Sequence, residues 1–207
     1  MLFGLFKKSK PVKVKGLIKY YGIENFWLNT LTEKQREEVK IRYSKGLNTN
    51  PDSIDKIEIR STSMPLYSFL IIMAEGISDI QMKDKIISWA IEEVEKQSNV
   101  IEKHYTYMGG WKIYKQIVKE NPSYYSKYIE LLIKDCEIHD QFNKQYFEEN
   151  GILPTYPSFK ELALAYERSG EIEKAIEISK IALKKKVKEN TSFERRIAKL
   201  EKKLRNR

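Results

Sequence analysis

The sequence contains one cysteine, Cys136, so no disulfide can form within the chain. A reducing compartment, the cytoplasm, is the expected location. Glycine (nine residues) and proline (six) are scarce. That counts against a β-sandwich, which needs a turn about every eight to twelve residues, and favours long helices. No stretch approaches the roughly 18 apolar residues of a membrane span. The apolar opening Met1–Phe6 is short, and its lysines (Lys7, Lys8, Lys10) follow it, the wrong order for a secretory signal. Residues 1–15 therefore read as a basic N-terminal arm, with contact to a membrane surface as the lesser reading. Glycine-rich phosphate loops, Gly-x-Ser-x-Gly and His-Glu-x-x-His are all missing.

What is present is charge and helical periodicity. Charged residues make up 32% of the chain and hydrophobic ones 41%, enough to bury a core at this length. The net charge of +9 is uneven: residues 1–60 hold 13 basic and 7 acidic side chains, residues 184–207 hold 11 and 3, and the middle holds 14 and 19. Basic ends suit a nucleic-acid partner through counterion release, but lysine also accumulates on any solvated face.

Residues 16–62 read as an N-terminal helical cap and linker. A short apolar helix is expected over Gly16–Thr30. Thr32 and Gln35 form a capping box for a helix to about Ser44, with Gly46 past its end. Residues 47–62 lack periodicity and read as the linker. From residue 63 onward the pattern is helical: Ser63 and Pro65 start a helix to Gly76, and further helices fit 79–97, 101–119 and 123–148. Gly109-Gly110 inside the third of these implies a kink or a close helix approach. Trp111 reads as core. A helix-pair spacing of about 35 to 55 residues is a solenoid signal.

Residues 154–187 carry the most specific pattern. Phe159, Leu162, Ala163 and Tyr166 fall on one helix, Gly170 at a turn, and Ala175 and Ala182 on the next. Small residues let the two helices approach while aromatics fill the space between turns. This segment resembles a tetratricopeptide repeat, although Ser179 stands where an aromatic is usual and Val187 where proline often ends the unit. Tyr67, Leu70, Ile71 and Ala90 fall at corresponding places around 64–97, and the pair at 102–148 is more degenerate. Thr191 and Glu194 form a second capping box. Ile197, Leu200 and Leu204 then line a helix over 191–206 of the kind that caps a solenoid. The front of the chain (Gly16-Leu17-Ile18, Tyr20-Tyr21-Gly22, Phe26-Trp27-Leu28), with His104–Tyr107 and Leu153-Pro154, also resembles uncharacterised repeat proteins of low-GC Gram-positive bacteria and their phages. The expected fold is all-α: antiparallel helix pairs stacked as a short solenoid over 63–207.

The resemblance implies a scaffold that binds an unidentified protein or peptide along the first helix of each repeat. On this sequence that face carries Lys160, Leu164, Glu167 and Arg168. Nucleic-acid binding through the basic ends is the alternative. Residues 104–115 interleave aromatics with lysines, as a stacking platform or a packed helix does. Glu171, Glu173 and Glu177 with Lys174 and Lys180 read as a solvated face. Cys136 and His139 are three apart, but four metal ligands or an oriented nucleophile are not in sight. No cofactor, metal or enzymatic activity is expected.

Overall fold

The computed structural model describes residues 13–190 and 192–206. The arm up to residue 12 and Thr191 lie outside the described residues. Among those described, every regular element is helical.

The front of the chain is built from α1 (Gly16–Tyr20), α2 (Glu24–Asn29) and α3 (Glu33–Leu47). The single short helix expected over Gly16–Thr30 is thus two. Trp27 is buried beneath them, and Arg36 donates to the carbonyls of Trp27 (3.2 Å) and Leu31 (2.7 Å), satisfying acceptors that the end of α2 leaves open. The capping box at Thr32 is complete: Thr32 Oγ1 accepts from Gln35 N, and Gln35 Oε1 accepts from Thr32 N. The helix passes through Gly46 and ends at Asn48, whose left-handed backbone (φ 50°) makes the exit. Asparagine reaches that region at low cost, so glycine is not needed.

Residues 47–62, read as a linker, are packed onto this front end. Ile54 is fully buried, and its carbonyl accepts from Ile18 N at 3.0 Å. Asp55 Oδ2 accepts from Lys40 Nζ (2.9 Å) and Trp27 Nε1 (3.3 Å).

Four helices follow: α4 (Leu66–Gly76), α5 (Ile80–Glu95), α6 (Val100–Glu120) and α7 (Tyr125–Glu137). Phe69, Leu70, Met73 and Ala74 are buried because α4 packs against α3, α5 and α6. Gly109 and Gly110 mark close approaches. A Cβ on Gly109 would lie 2.6 Å from Ile71 Cγ2 on α4, and one on Gly110 would lie 2.7 Å from Leu131 Cδ1 on α7.

The helix expected over 123–148 is broken. Helix α7 stops at Glu137, and α8 (His139–Asn150) starts after Ile138. Helix α7 buries Tyr128, Leu131, Leu132 and Cys136, whereas α8 buries His139 and Phe142. Phe142 of α8 lies against α6, with its ring centroid 4.3 Å from that of His104.

The last three helices are α9 (Ser158–Ser169), α10 (Ile172–Lys184) and α11 (Phe193–Arg205). Helix α9 packs on α7 and α10, and α10 packs on α11. A buried carboxylate fixes α9 to the preceding helices. Asp135 Oδ1 accepts from His104 Nδ1 (2.7 Å) and Tyr156 OH (2.9 Å), and Oδ2 accepts from Trp111 Nε1 (3.2 Å) and Ser158 Oγ. Tyr156 OH also donates to the Asp135 carbonyl at 2.5 Å. Burial, with the nearby Asp135 charge, pushes the Tyr156 phenol far above its ordinary value, so it acts as a donor here. One side chain thereby joins α6, α7 and the start of α9.

Candidate functional site

The α9–α10 pair is the segment that the sequence marks most clearly. Phe159, Leu162, Ala163, Tyr166, Ala175 and Ala182 are all buried. Phe159 sits edge-on to His139, with centroids 5.3 Å apart. Gly170 takes the left-handed conformation (φ 86°) that ends α9, a conformation strained for any side chain with a Cβ. The two departures from the repeat pattern have local explanations. Ser179 is buried, and its Oγ donates to the Ala175 carbonyl at 2.7 Å, so a small side chain fills the position without an unpaired hydroxyl. Lys186 adopts φ 53° and turns the chain after α10, and Val187 tucks into the core where proline would otherwise stop the helix.

The exposed side of α9 faces α11, which itself packs on α10. Phe193 and Leu200 of α11 are buried, Ile197 and Leu204 pack beside them, and the cap is Ser192, whose Oγ accepts from Arg195 N at 3.3 Å. Thr191, expected as that cap, lies outside the described residues.

Between the two helices runs a groove of about 350 Å³ lined by Leu164, Glu167, Asn190, Ser192, Arg195, Arg196 and Lys199. Glu167 is largely enclosed, and three cations surround it: Arg196 at 3.3 Å, Lys203 at 3.6 Å and Lys199 at 4.0 Å. Arg195 has no ion-pair partner among the described residues. One carboxylate therefore faces an excess of positive charge.

Of the four residues expected on the binding face, Leu164 and Glu167 line this groove. Lys160 is on the same side of α9 and reaches Glu189 at 3.4 Å. Arg168 turns away to Glu161 Oε1 at 3.3 Å. Glu161 also accepts from Lys115 (2.7 Å) and Tyr128 OH (2.6 Å). Burial pushes the Glu161 carboxyl upward, but the hydrogen bonds of Lys115 and Tyr128 and the nearby cations outweigh it and hold it below its usual range. Sequence reasoning did not place Arg195, Arg196 and Lys199 on this groove; it took them as the polar side of a cap or as part of a basic end for nucleic acid. Their signal was the i, i+4 spacing of Arg195 and Lys199 on one face of the helix.

A larger groove, about 580 Å³, lies between α7 and the α9–α10 turn and is lined by Tyr125, Ile129, Ile133, Tyr166 and several charged residues. Its two lysines are paired, Lys134 with Glu95 and Glu130 and Lys174 with Glu171, and Glu137 adds a further carboxylate.

The remaining candidates are structural. Within 104–115, Tyr107, Trp111, Ile113 and Tyr114 are buried, and Tyr105 alone among the aromatics is well exposed. Both ring nitrogens of His139 are engaged, Nδ1 with Asp140 Oδ1 (2.8 Å) and Nε2 with Asn143 (3.0 Å). Desolvation, reinforced by the Asp135 and Glu137 charges, raises the Cys136 thiol well above its ordinary value, the opposite of an activated nucleophile. No group of three or more metal-ligating side chains is assembled among the described residues, and no helix there is long and apolar enough to cross a membrane. No family model, curated protein or solved structure matches this chain.

Proposed function

We propose that the chain is a protein-interaction scaffold of the tetratricopeptide-like kind, a short stack of helix pairs closed by α11, working in the cytoplasm. The observation that carries this reading is the open groove between α9 and α11, with Leu164 as its apolar contact and the polar rim of Glu167, Arg195, Arg196 and Lys199 around it. An apolar contact inside a polar rim is the layout of a peptide-binding surface. The buried Phe159, Leu162, Ala163, Tyr166, Ala175 and Ala182 support the same reading, because they spend the other side of the pair on packing and leave this side for a partner. Binding of nucleic acid through the basic ends is the weaker reading, since several C-terminal cations are already engaged: Arg196 and Lys203 with Glu167, and Lys185 with Asp140. The resemblance to repeat proteins of Gram-positive bacteria and their phages bears on architecture and adds no chemistry.

The test is capture from an extract, with nuclease treatment and moderate salt, using the wild-type chain beside Leu164→Glu. Leu164 is only half-buried, so the variant keeps the core. A discrete protein retained by wild type and lost by Leu164→Glu is the expected result. Capture that disappears with nuclease, or that ignores the substitution, refutes the assignment of the groove.

A further inference from the structure

The groove between α7 and the α9–α10 turn continues beyond its own walls. Glu130 and Lys134 of α7 also line a hollow of about 210 Å³ between α7 and α5, so the two form one trough. Its ends differ. At the α5 end the apolar lining residues Ile87, Ile91 and Leu131 are buried, and Glu92, Glu95 and Glu130 make the rim. At the far end Ile129 and Ile133 of α7 are partly exposed beside Tyr125 and Tyr166. The charges do not cancel. Lys127 is taken by Asp84, Lys134 by Glu95 and Glu130, and Lys174 by Glu171. Glu92 of α5 and Glu137 of α7 are exposed and have no ion-pair partner among the described residues. The acidic surplus therefore comes from two helices that face each other across the trough.

We infer that this trough holds the N-terminal arm of the same chain, residues 1–12, laid from the α5 end outward. The arm has the opposite charge and the matching order. The first carboxylate in the sequence is Glu24. Going back from Lys13, the chain offers Lys10, Lys8 and Lys7, and then Phe6, Leu5, Phe3 and Leu2. The lysines thus meet the rim of Glu92, Glu95 and Glu130, and the apolar residues reach Ile129 and Ile133, where burial removes apolar surface from both sides. The arm leads into α1 and α2, and α2 lies on α5, with the Phe26 ring 5.2 Å from that of Trp89. Extended, the chain from Lys13 to Leu2 covers about 40 Å. That is enough to cross neighbouring helices packed about 10 Å apart. The trough is separate from the α9–α11 groove, so the inference stands whether or not that groove binds a partner.

The test is photocrosslinking of the full chain with p-benzoylphenylalanine in place of Phe3, followed by peptide mapping. An equal mixture of heavy-isotope-labelled and unlabelled chains separates links within one chain from links between copies. The expected adducts fall on the segment carrying Ile129 and Ile133 or around Tyr166, and stay within one chain. Glu92→Lys/Glu137→Lys and, separately, Ile133→Lys remove the two kinds of contact. All three side chains are exposed, so both variants keep the helical circular-dichroism signal. One opposite-charge contact at about 4 Å in water is worth close to a factor of five, so the charge variant should lower the adduct yield about fivefold or more. Ile133→Lys should lower it severalfold. Adducts elsewhere, adducts between copies, or yields indifferent to both variants overturn the inference. So does an absence of adducts. In that case, binding of the full chain to phosphatidylglycerol vesicles, lost when Leu2, Phe3, Leu5 and Phe6 are replaced by serine, would give the arm to a membrane surface.

Discussion

Replacing Asp135 with alanine tests the assembly of the C-terminal half most directly. The carboxylate accepts from His104, Trp111, Tyr156 and Ser158, all in the interior. Removing it leaves His104 Nδ1, Trp111 Nε1 and Ser158 Oγ without their acceptor, while Tyr156 retains the Asp135 carbonyl at 2.5 Å. Each buried donor left unpaired costs about 1–3 kcal/mol. With three of them, and some relaxation into the vacated space, the loss should be roughly 4 kcal/mol, a large part of the ~5–15 kcal/mol that holds a typical chain folded. At about 2–4 °C per kcal/mol the melting temperature should fall by about 10 °C. Asparagine at this position should fall between the two. Its amide oxygen serves one pair of donors, and its NH2 faces the other pair, where the Ser158 hydroxyl can turn to accept. Circular dichroism at 222 nm during thermal and urea unfolding measures all three proteins. Lys56→Ala, which removes an exposed pair with Asp52, is the control and should leave the midpoint unchanged. If Asp135→Ala behaved like that control, the carboxylate would not be the organising contact between α6, α7 and α9.

Three further outcomes follow from the same geometry. Burial lowers the pKa of His139 from its ordinary 6.5, against the opposing pull of Asp140, so below about pH 6.5 the unfolded chain binds the proton more readily than the folded one. Stability contributed by this residue is complete above that pH and is lost as pH falls toward the folded pKa. Urea midpoints from pH 8 to 5 should show the slope, and His139→Gln should flatten it. Cys136 is buried with a raised pKa, so a thiol reagent at pH 8 should label it in denaturant and leave it almost untouched in the native chain; rapid native labelling would contradict its placement. Gly109→Ala should destabilise by roughly 1–2 kcal/mol in urea unfolding even though alanine is the better helix former by about 1 kcal/mol, because the new methyl meets the branched Ile71 side chain of α4.

Local chemistry was legible in the sequence wherever neighbours in the chain decide it. The Thr32–Gln35 box closes as expected, the helix starting at Pro65 ends at Gly76, and the Phe159–Tyr166 positions are buried as their spacing implies. Of the two readings open for Gly109 and Gly110, a kink or a close approach, the close approach is seen, because a missing side chain in a long helix leaves room for a neighbour. The break at Ile138 was not legible. Residues on both sides of it favour helix, and the contacts that Phe142 makes lie on α6, far away in the chain. The burial of Ile54 in a stretch without periodicity was hidden for a similar reason, since its partners lie at the start of the chain.

The candidate site divides along the same line. Spacing on one helix is enough to put Lys160, Leu164, Glu167 and Arg168 on a common side of α9. It is not enough to show that Arg168 leans to Glu161, or that Lys160 is taken up by Glu189. Nor does it show that Arg195, Arg196 and Lys199 close the far wall of the groove. By itself, the sequence determined that the chain is helical, where most helices begin and end, and which faces are apolar, because these depend on backbone periodicity and capping within a few residues. Only the tertiary structure decided which acids and bases meet. Such pairs depend on how separate helices pack, and the same residues in another packing would leave a different charge exposed.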